Sequence, residues 1–239
     1  MTGQEVRDAR EERGWTQADL AGRLGVSQGY VCLLERGQRS VPSRLAQRLA
    51  GLLNLSPSRR PLSATRAPLE ADAATRALGT LGYPGFAHYR QRDTLNPAEL
   101  LLRVLRAPEL DARVLEALVW VALAYPDLDW KWLTREAKVN DLQNRLGFLV
   151  TLARQLAERT ERAEAARRLT LAEQALEYSR LQREDAFRPS MTEAERRWLR
   201  QHRPPEAAHW NVLTNLTAAD VAMVSGPFYE QRPGIPGSL

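Results

Sequence analysis

The sequence predicts an all-α protein, and three observations carry that reading. Apolar residues recur at steps of three and four along most of the chain, as in "DARVLEALVWVALAY" at 111–125. No stretch alternates apolar and polar residues as a half-buried strand would. From Phe148 to Arg188 neither glycine nor proline interrupts a run dense in Ala, Leu, Arg and Glu. Continuous, that run makes a helix of about 60 Å at 1.5 Å per residue. A chain of 239 residues has ample length to bury a core, in one or two domains.

The elements follow in order. Residues 2–55 hold four or five short helical patterns. "SPSRRPLSATRAPLEAD" (56–72) has three prolines and no apolar period, the composition of a linker. "GTLGYPGFAHYR" (79–90) reads as an irregular, aromatic-bearing loop. At 96–106 Asn96 is placed to cap a helix whose first residue is Pro97, a favoured start. Asp111 caps the next helix, which must stop before Pro126, and "DLDWKWLTREAK" (127–138) follows after a short turn.

Leu142, Leu146, Leu149, Ala153, Leu156, Thr160 and Ala163 then step by four and three, a heptad seam. A second seam of Ala165, Leu169, Ala172 and Leu176 is out of phase with it. The shift argues for a long helix that bends or packs differently along its length. The seam itself fits either a dimer contact or an ordinary helical core. The tail at 227–239 is rich in Pro and Gly and is expected to be flexible, with Phe228 and Tyr229 as a sticky aromatic pair.

Charge and composition bound the function. Arg and Lys total 34 against 29 acids, a net +5 and a pI near 9.8. Residues 1–60 hold ten arginines and six acids, so nearly all the excess lies there, as an anionic partner would favour. A single cysteine, Cys32, excludes an internal disulfide framework and fits a reducing compartment. The charged opening "MTGQEVRDAREERG" does not read as a signal peptide, and no apolar run approaches 18 residues. A cytoplasmic protein without a membrane partner is expected.

Catalysis is not expected, nor is a metal or cofactor. His88, His202 and His209 lie far apart, with no HxxxH, CxxC or HExxH spacing. "GTLGYPG" lacks the lysine and the preceding strand of a phosphate loop, and no GxSxG elbow occurs. Trp120, Trp130 and Trp132 read first as a buried cluster, and second as a ligand or peptide pocket.

The informative stretch is "TQADLAGRLGVSQGYVCLLERGQ" (16–38). Leu20, Ala21 and Leu24 define one helix face, Val31 and Leu34 another. Thr16 and Ser27 are N-caps, each followed by a glutamine. Gly25 supplies the positive φ that ends the first helix within a short connection, Val26 plugs the space between the helices, and Ala21 is small where they cross. That arrangement is a helix-turn-helix, whose second helix offers its N-terminal residues to the DNA major groove. Capped N-termini with outward amides suit phosphate binding at both helices.

With flanking "REERGWTQ" and "LERGQRSVPSRLAQRLAGLLNL", residues 3–55 resemble the phage repressor and Cro class of DNA-binding domains, the XRE family. The shared signature is Gln17, Ala21, Gly25, Val31 and Leu34. The resemblance implies that Arg10 and Glu35 pair to tie the helices together, and that Gln17 braces the backbone and the next helix. It places Gln28 at a base edge, where a carboxamide can make a bidentate contact to adenine. Gly29 and Tyr30 fall beside it, with Tyr30 in reach of phosphate or a thymine methyl. Arg39, Ser40, Ser43 and Arg44 fall where the family contacts phosphates. Leu33 departs from the family's common polar reader and can give only apolar contact, which shifts weight to DNA shape or to the other half-site.

The domains expected are a helix-turn-helix at 1–58, a linker and irregular loop at 59–95, an α-helical dimerisation, partner or sensor region at 96–226, and the tail. The function expected is a dimeric, sequence-specific regulator that binds double-stranded operator DNA. The alternative is an antitoxin-like protein that neutralises a protein partner through its C-terminal region and autoregulates its operon.

Overall fold

A computed structural model describes residues 1–62, 67–89 and 94–225. The described residues divide into two compact units, 1–62 and 67–225. Almost all regular structure is helical.

The first unit contains α1 (Gly3–Glu12), α2 (Gln17–Leu24), α3 (Gln28–Glu35) and α4 (Ser43–Leu52), followed by a 3-10 turn at Pro57–Arg59. Each of the first three helices starts where the sequence supplies a hydroxyl cap, at Thr2, Thr16 and Ser27. Val6, Ala9, Leu20, Ala21, Leu24, Val31, Leu49 and Leu53 form one core, with Trp15 and Val26 packed against it. Gly25 has φ +67°, and the Val26 N–H reaches back to the Ala21 carbonyl at 3.0 Å. This closes α2 and sets α3 three residues later.

The second unit contains α5 (Ala71–Thr80), a 3-10 turn at Pro84–Phe86, α6 (Pro97–Leu105), α7 (Ala112–Ala124), α8 (Trp130–Val139), α9 (Gln143–Arg159) and α10 (Ala163–Glu177). It continues with α11 (Glu193–His202), α12 (Pro205–His209) and α13 (Ala218–Ser225). α9 is its axis: every residue from Gln143 to Ala153 is buried, and α7, α8, α10, α12 and α13 pack on it. A helix enclosed on all sides must satisfy its polar residues internally. Asn144 does so by exchanging hydrogen bonds with the backbone of Leu181, at 2.9 and 2.8 Å.

Several expectations need correction. The region 59–95 is not simply linker and loop, because α5 forms at 71–80 and buries Ala74, Ala77 and Leu78. The helical period was present in "ADAATRALGTL", hidden by small residues that bury little area each. Tyr83, inside the glycine-rich patch, is fully buried with its ring edge-on to Phe86 and Trp120. Trp120 stacks its edges with Tyr83 and Tyr125, while Trp130 is only half-buried, so the three tryptophans do not share one environment.

The long helix is broken. Glu161 takes φ +55°, and α10 runs back antiparallel along α9, with Gln143 bonded to Ser179 and Thr151 to Glu173. The out-of-phase seams are therefore two faces of one hairpin. Leu142 to Leu156 and Ala165 to Leu176 are buried within the chain, so this seam is core and not a free dimer surface. Only Thr160 and Ala163, at the turn, are exposed. α8 begins at Trp130, capped by Asp129, rather than at residue 127. A two-residue parallel pairing, Asp185–Ala186 with Val212–Leu213, interrupts the all-helical pattern. The tail at 227–239, with Phe228 and Tyr229, lies outside the described residues.

Among the described residues, no helix is long and apolar enough to cross a membrane, and no group of three metal-ligating side chains occurs.

Candidate nucleic-acid interface

α3 is held from behind. Val31 and Leu34 are almost fully buried, and so is Glu35 at its last turn. Arg10 on α1 donates from Nε and Nη2 to both Glu35 oxygens, at 2.7 and 3.0 Å, and from Nη1 to the Trp15 carbonyl at 2.7 Å. Gln17 at the start of α2 donates its amide to Glu35 Oε2 at 2.9 Å. Three segments thus converge on one carboxylate. Burial pushes the Glu35 carboxyl up, but the hydrogen bonds from Arg10 and Gln17 together with the Arg10 charge outweigh it and hold it below the ordinary value. Gly3 belongs to the same junction: a Cβ there would lie 2.0 Å from the Leu34 carbonyl oxygen.

The two N-termini that look alike in sequence differ in charge. At α2 the Asp19 N–H donates to Thr16 Oγ1, while Asp19 Oδ2 accepts the Thr16 N–H and hydroxyl at 2.8 and 2.6 Å. The Thr16 hydrogen bonds hold the Asp19 carboxyl below its usual range. A carboxylate therefore already sits on the positive end of α2. At α3, Ser27 Oγ accepts only the Tyr30 N–H, at 3.2 Å, and the first turn contains no acid. Of the two N-termini expected to suit phosphate, that of α2 carries a resident carboxylate and that of α3 does not.

Ser27, Gln28 and Gly29 are exposed on that first turn. The chain after α3 folds back because the Leu33 carbonyl accepts the N–H groups of Gln38 and Arg39, at 3.0 and 3.2 Å. That brings the Arg39 guanidinium to 6.0 Å from the centre of the half-buried Tyr30 ring. Leu33 is half-buried, Ser40 and Arg44 are exposed, and Ser43 opens α4, whose cap residue Pro42 offers no side-chain hydrogen bond. The Thr16 hydroxyl is engaged with Asp19, and the Gln17 amide donates to Glu35.

Residues 6–59 match the family model described as Helix-turn-helix. The N-terminal unit is a helix-turn-helix domain of the XRE type. The match supports a DNA-binding regulator of that type. The match covers less than a quarter of the chain, and nothing is recognised in the second unit. Comparison with curated proteins gave no match, and neither did comparison with solved structures.

Two features of the helix-turn-helix escaped the sequence reading. The Asp19 turn-back had a signal, the spacing T-x-x-D that can close a capping box. Arg36, exposed beside Glu35 at the end of α3, makes no ion pair among the described residues and had no distinguishing signal.

Proposed function

We propose that the protein is a sequence-specific transcriptional regulator that binds its operator as a dimer, acts as an autorepressor and works by binding rather than catalysis. Its reading helix is α3, with Gln28 at a base edge, Tyr30 beside it, and Arg39, Ser40, Ser43 and Arg44 on phosphates. The observation that supports this most is the contrast across α3. Its rear face and last turn are locked by the Arg10–Glu35–Gln17 clamp, while Ser27, Gln28 and Gly29 stand exposed at an N-terminus with no carboxylate. A rigid helix with an open, positively polarised end suits insertion into a groove between phosphates. One such domain makes few contacts, so a second copy on a half-site about one helical turn away supplies the remaining affinity.

A second reading is an antitoxin-like protein whose second unit holds a protein partner. It is favoured by large apolar side chains left exposed there: Leu171 at 59%, Tyr178 at 94% and Trp198 at 50%.

The deciding experiment is a titration of the full chain on DNA upstream of its own gene, at two salt concentrations and with competitor DNA. Competitor-resistant binding supports the operator reading. Binding that follows salt alone, with no sequence preference, overturns it. Co-purification of a stoichiometric protein expressed from the same operon supports the second reading.

A further inference from the structure

Arg145, on the enclosed helix α9, is nine-tenths buried. Its Nε and Nη2 each donate at 3.0 Å to Asp185, Nη1 donates to the Leu105 carbonyl at 3.0 Å, and Nη2 also to the Ala186 carbonyl at 2.7 Å. This guanidinium is saturated and serves the fold, tying the end of α6 and the Asp185–Ala186 strand to α9. It lines a cleft of about 270 Å³ walled by Arg106, Pro108, Asn140, Asp141 and Arg183.

The charges around the cleft do not cancel. Arg145 is neutralised by Asp185. Arg183 lies 3.1 Å from Asp141, both side chains more than half exposed, and such surface pairs exchange partners at little cost. Arg106 is half-buried, lines the same cleft, and its side chain has no hydrogen-bond or ionic partner among the described residues. A partly desolvated cation without a counter-ion is an incomplete pair. We propose that this cleft binds a small anion through a carboxylate or phosphate group, with Arg106 as its principal ligand and Arg183 turning from Asp141 to join it. Guanidinium forks match both groups in bidentate geometry.

Size and lining limit the ligand. The volume is that of about nine water molecules at roughly 30 Å³ each, enough for a small anion. Polar and charged walls favour a hydrophilic molecule over an apolar one. The walls come from the end of α6, the α8–α9 turn and the Asp185–Ala186 strand, segments joined only in the folded state. A bound anion would therefore stabilise the second unit by mass action.

The test uses the full chain with succinate and with inorganic phosphate, each against potassium chloride of equal ionic strength, read by thermal unfolding and titration calorimetry. The expected result is a saturable rise of roughly 3 °C or more well above Kd with at least one probe. Arg106→Gln should weaken that binding tenfold or more, and Arg197→Gln, exposed on α11 and outside the cleft lining, should not change it. A response to succinate alone identifies a carboxylate ligand, to phosphate alone a phosphate ligand, and to both a general anion site. If Arg106→Gln does not fold, Arg183→Gln replaces it and must also weaken binding. No response beyond the salt control, or undiminished binding in the arginine variant, overturns the proposal. Operator binding is measured separately, so the two readings fail independently.

Discussion

Arg10 and Glu35, separated by 25 positions in sequence, form a two-pronged buried ion pair at 2.7 and 3.0 Å. Removing one partner leaves the other buried without compensation, which costs about 3–5 kcal/mol. Arg10→Ala should therefore destabilise the first unit by that order. The double variant Arg10→Met with Glu35→Leu should be much milder, because it removes both charges and keeps apolar volume. Hydrogen-exchange labelling of α1–α3 across a urea series measures both. Equal losses in the single and double variants would show that packing, and not charge compensation, sets the energy.

The same pair gives a pH dependence. Folding lowers the Glu35 carboxyl relative to the unfolded chain, despite burial pulling the other way. A lowered value means that the stabilisation is complete above the unfolded value of about 4.3 and is lost as pH falls through the folded value beneath it. Urea midpoints for α1–α3, read by pulse labelling, should decline below about pH 4. Glu35→Gln should be less stable near neutrality and show a shallower decline in acid. An identical acid limb in that variant would assign the effect to other carboxylates, Asp19 and Glu11 being lowered as well.

The first unit was legible in the sequence because its constraints are local. Caps at Thr16 and Ser27, the positive φ of Gly25, and helix-face residues within four positions of one another each leave a signal at short range. The Arg10–Glu35 pair is long-range and was reached only through the family resemblance. The second unit was less legible for a physical reason. α9 is buried on all sides, so Gln143, Asn144, Arg145 and Thr151 stand where apolar residues would mark a face, and amphipathic period fades. The turn between α9 and α10 uses Glu161 at φ +55° instead of glycine, so composition carried no break signal. Phase did carry one, in the mismatch of the two seams.

Gly147 on α9 lies against the Trp210 ring, where a Cβ would come within 2.4–2.5 Å of three ring carbons. The ring cannot withdraw. Trp210 is fully buried and donates its Nε1–H to Thr151 Oγ1 at 2.8 Å, and that hydroxyl lies 2.6 Å from Glu173. Gly147→Ala should destabilise the second unit by about 1–3 kcal/mol through overpacking. Thr151→Val should cost a similar amount by leaving the indole N–H unsatisfied. Denaturant unfolding of the full chain, with near-ultraviolet dichroism for the tryptophan environment, provides the readout. A neutral Gly147→Ala would mean that α12 and α9 separate at no cost.

Contrasting substitutions on the two sides of α3 test its docking. Gln28 is exposed on the first turn, Arg44 exposed at the start of α4, and Gln17 tied to Glu35. A base-edge contact carries discrimination, so Gln28→Ala should cost about 1–3 kcal/mol on the operator and relax base preference. A phosphate contact carries none, so Arg44→Ala should weaken all sequences alike and reduce the salt slope by about 1. Gln17→Ala removes a brace, so its effect should appear as lost stability of α1–α3, with DNA affinity following stability. The three variants are separated by binding titrations on operator and scrambled DNA at two salt concentrations, beside exchange labelling of the free protein. Unchanged affinity and preference in Gln28→Ala would place the reading surface elsewhere on the domain, and a salt slope unaffected by Arg44→Ala would remove α4 from the phosphate contacts.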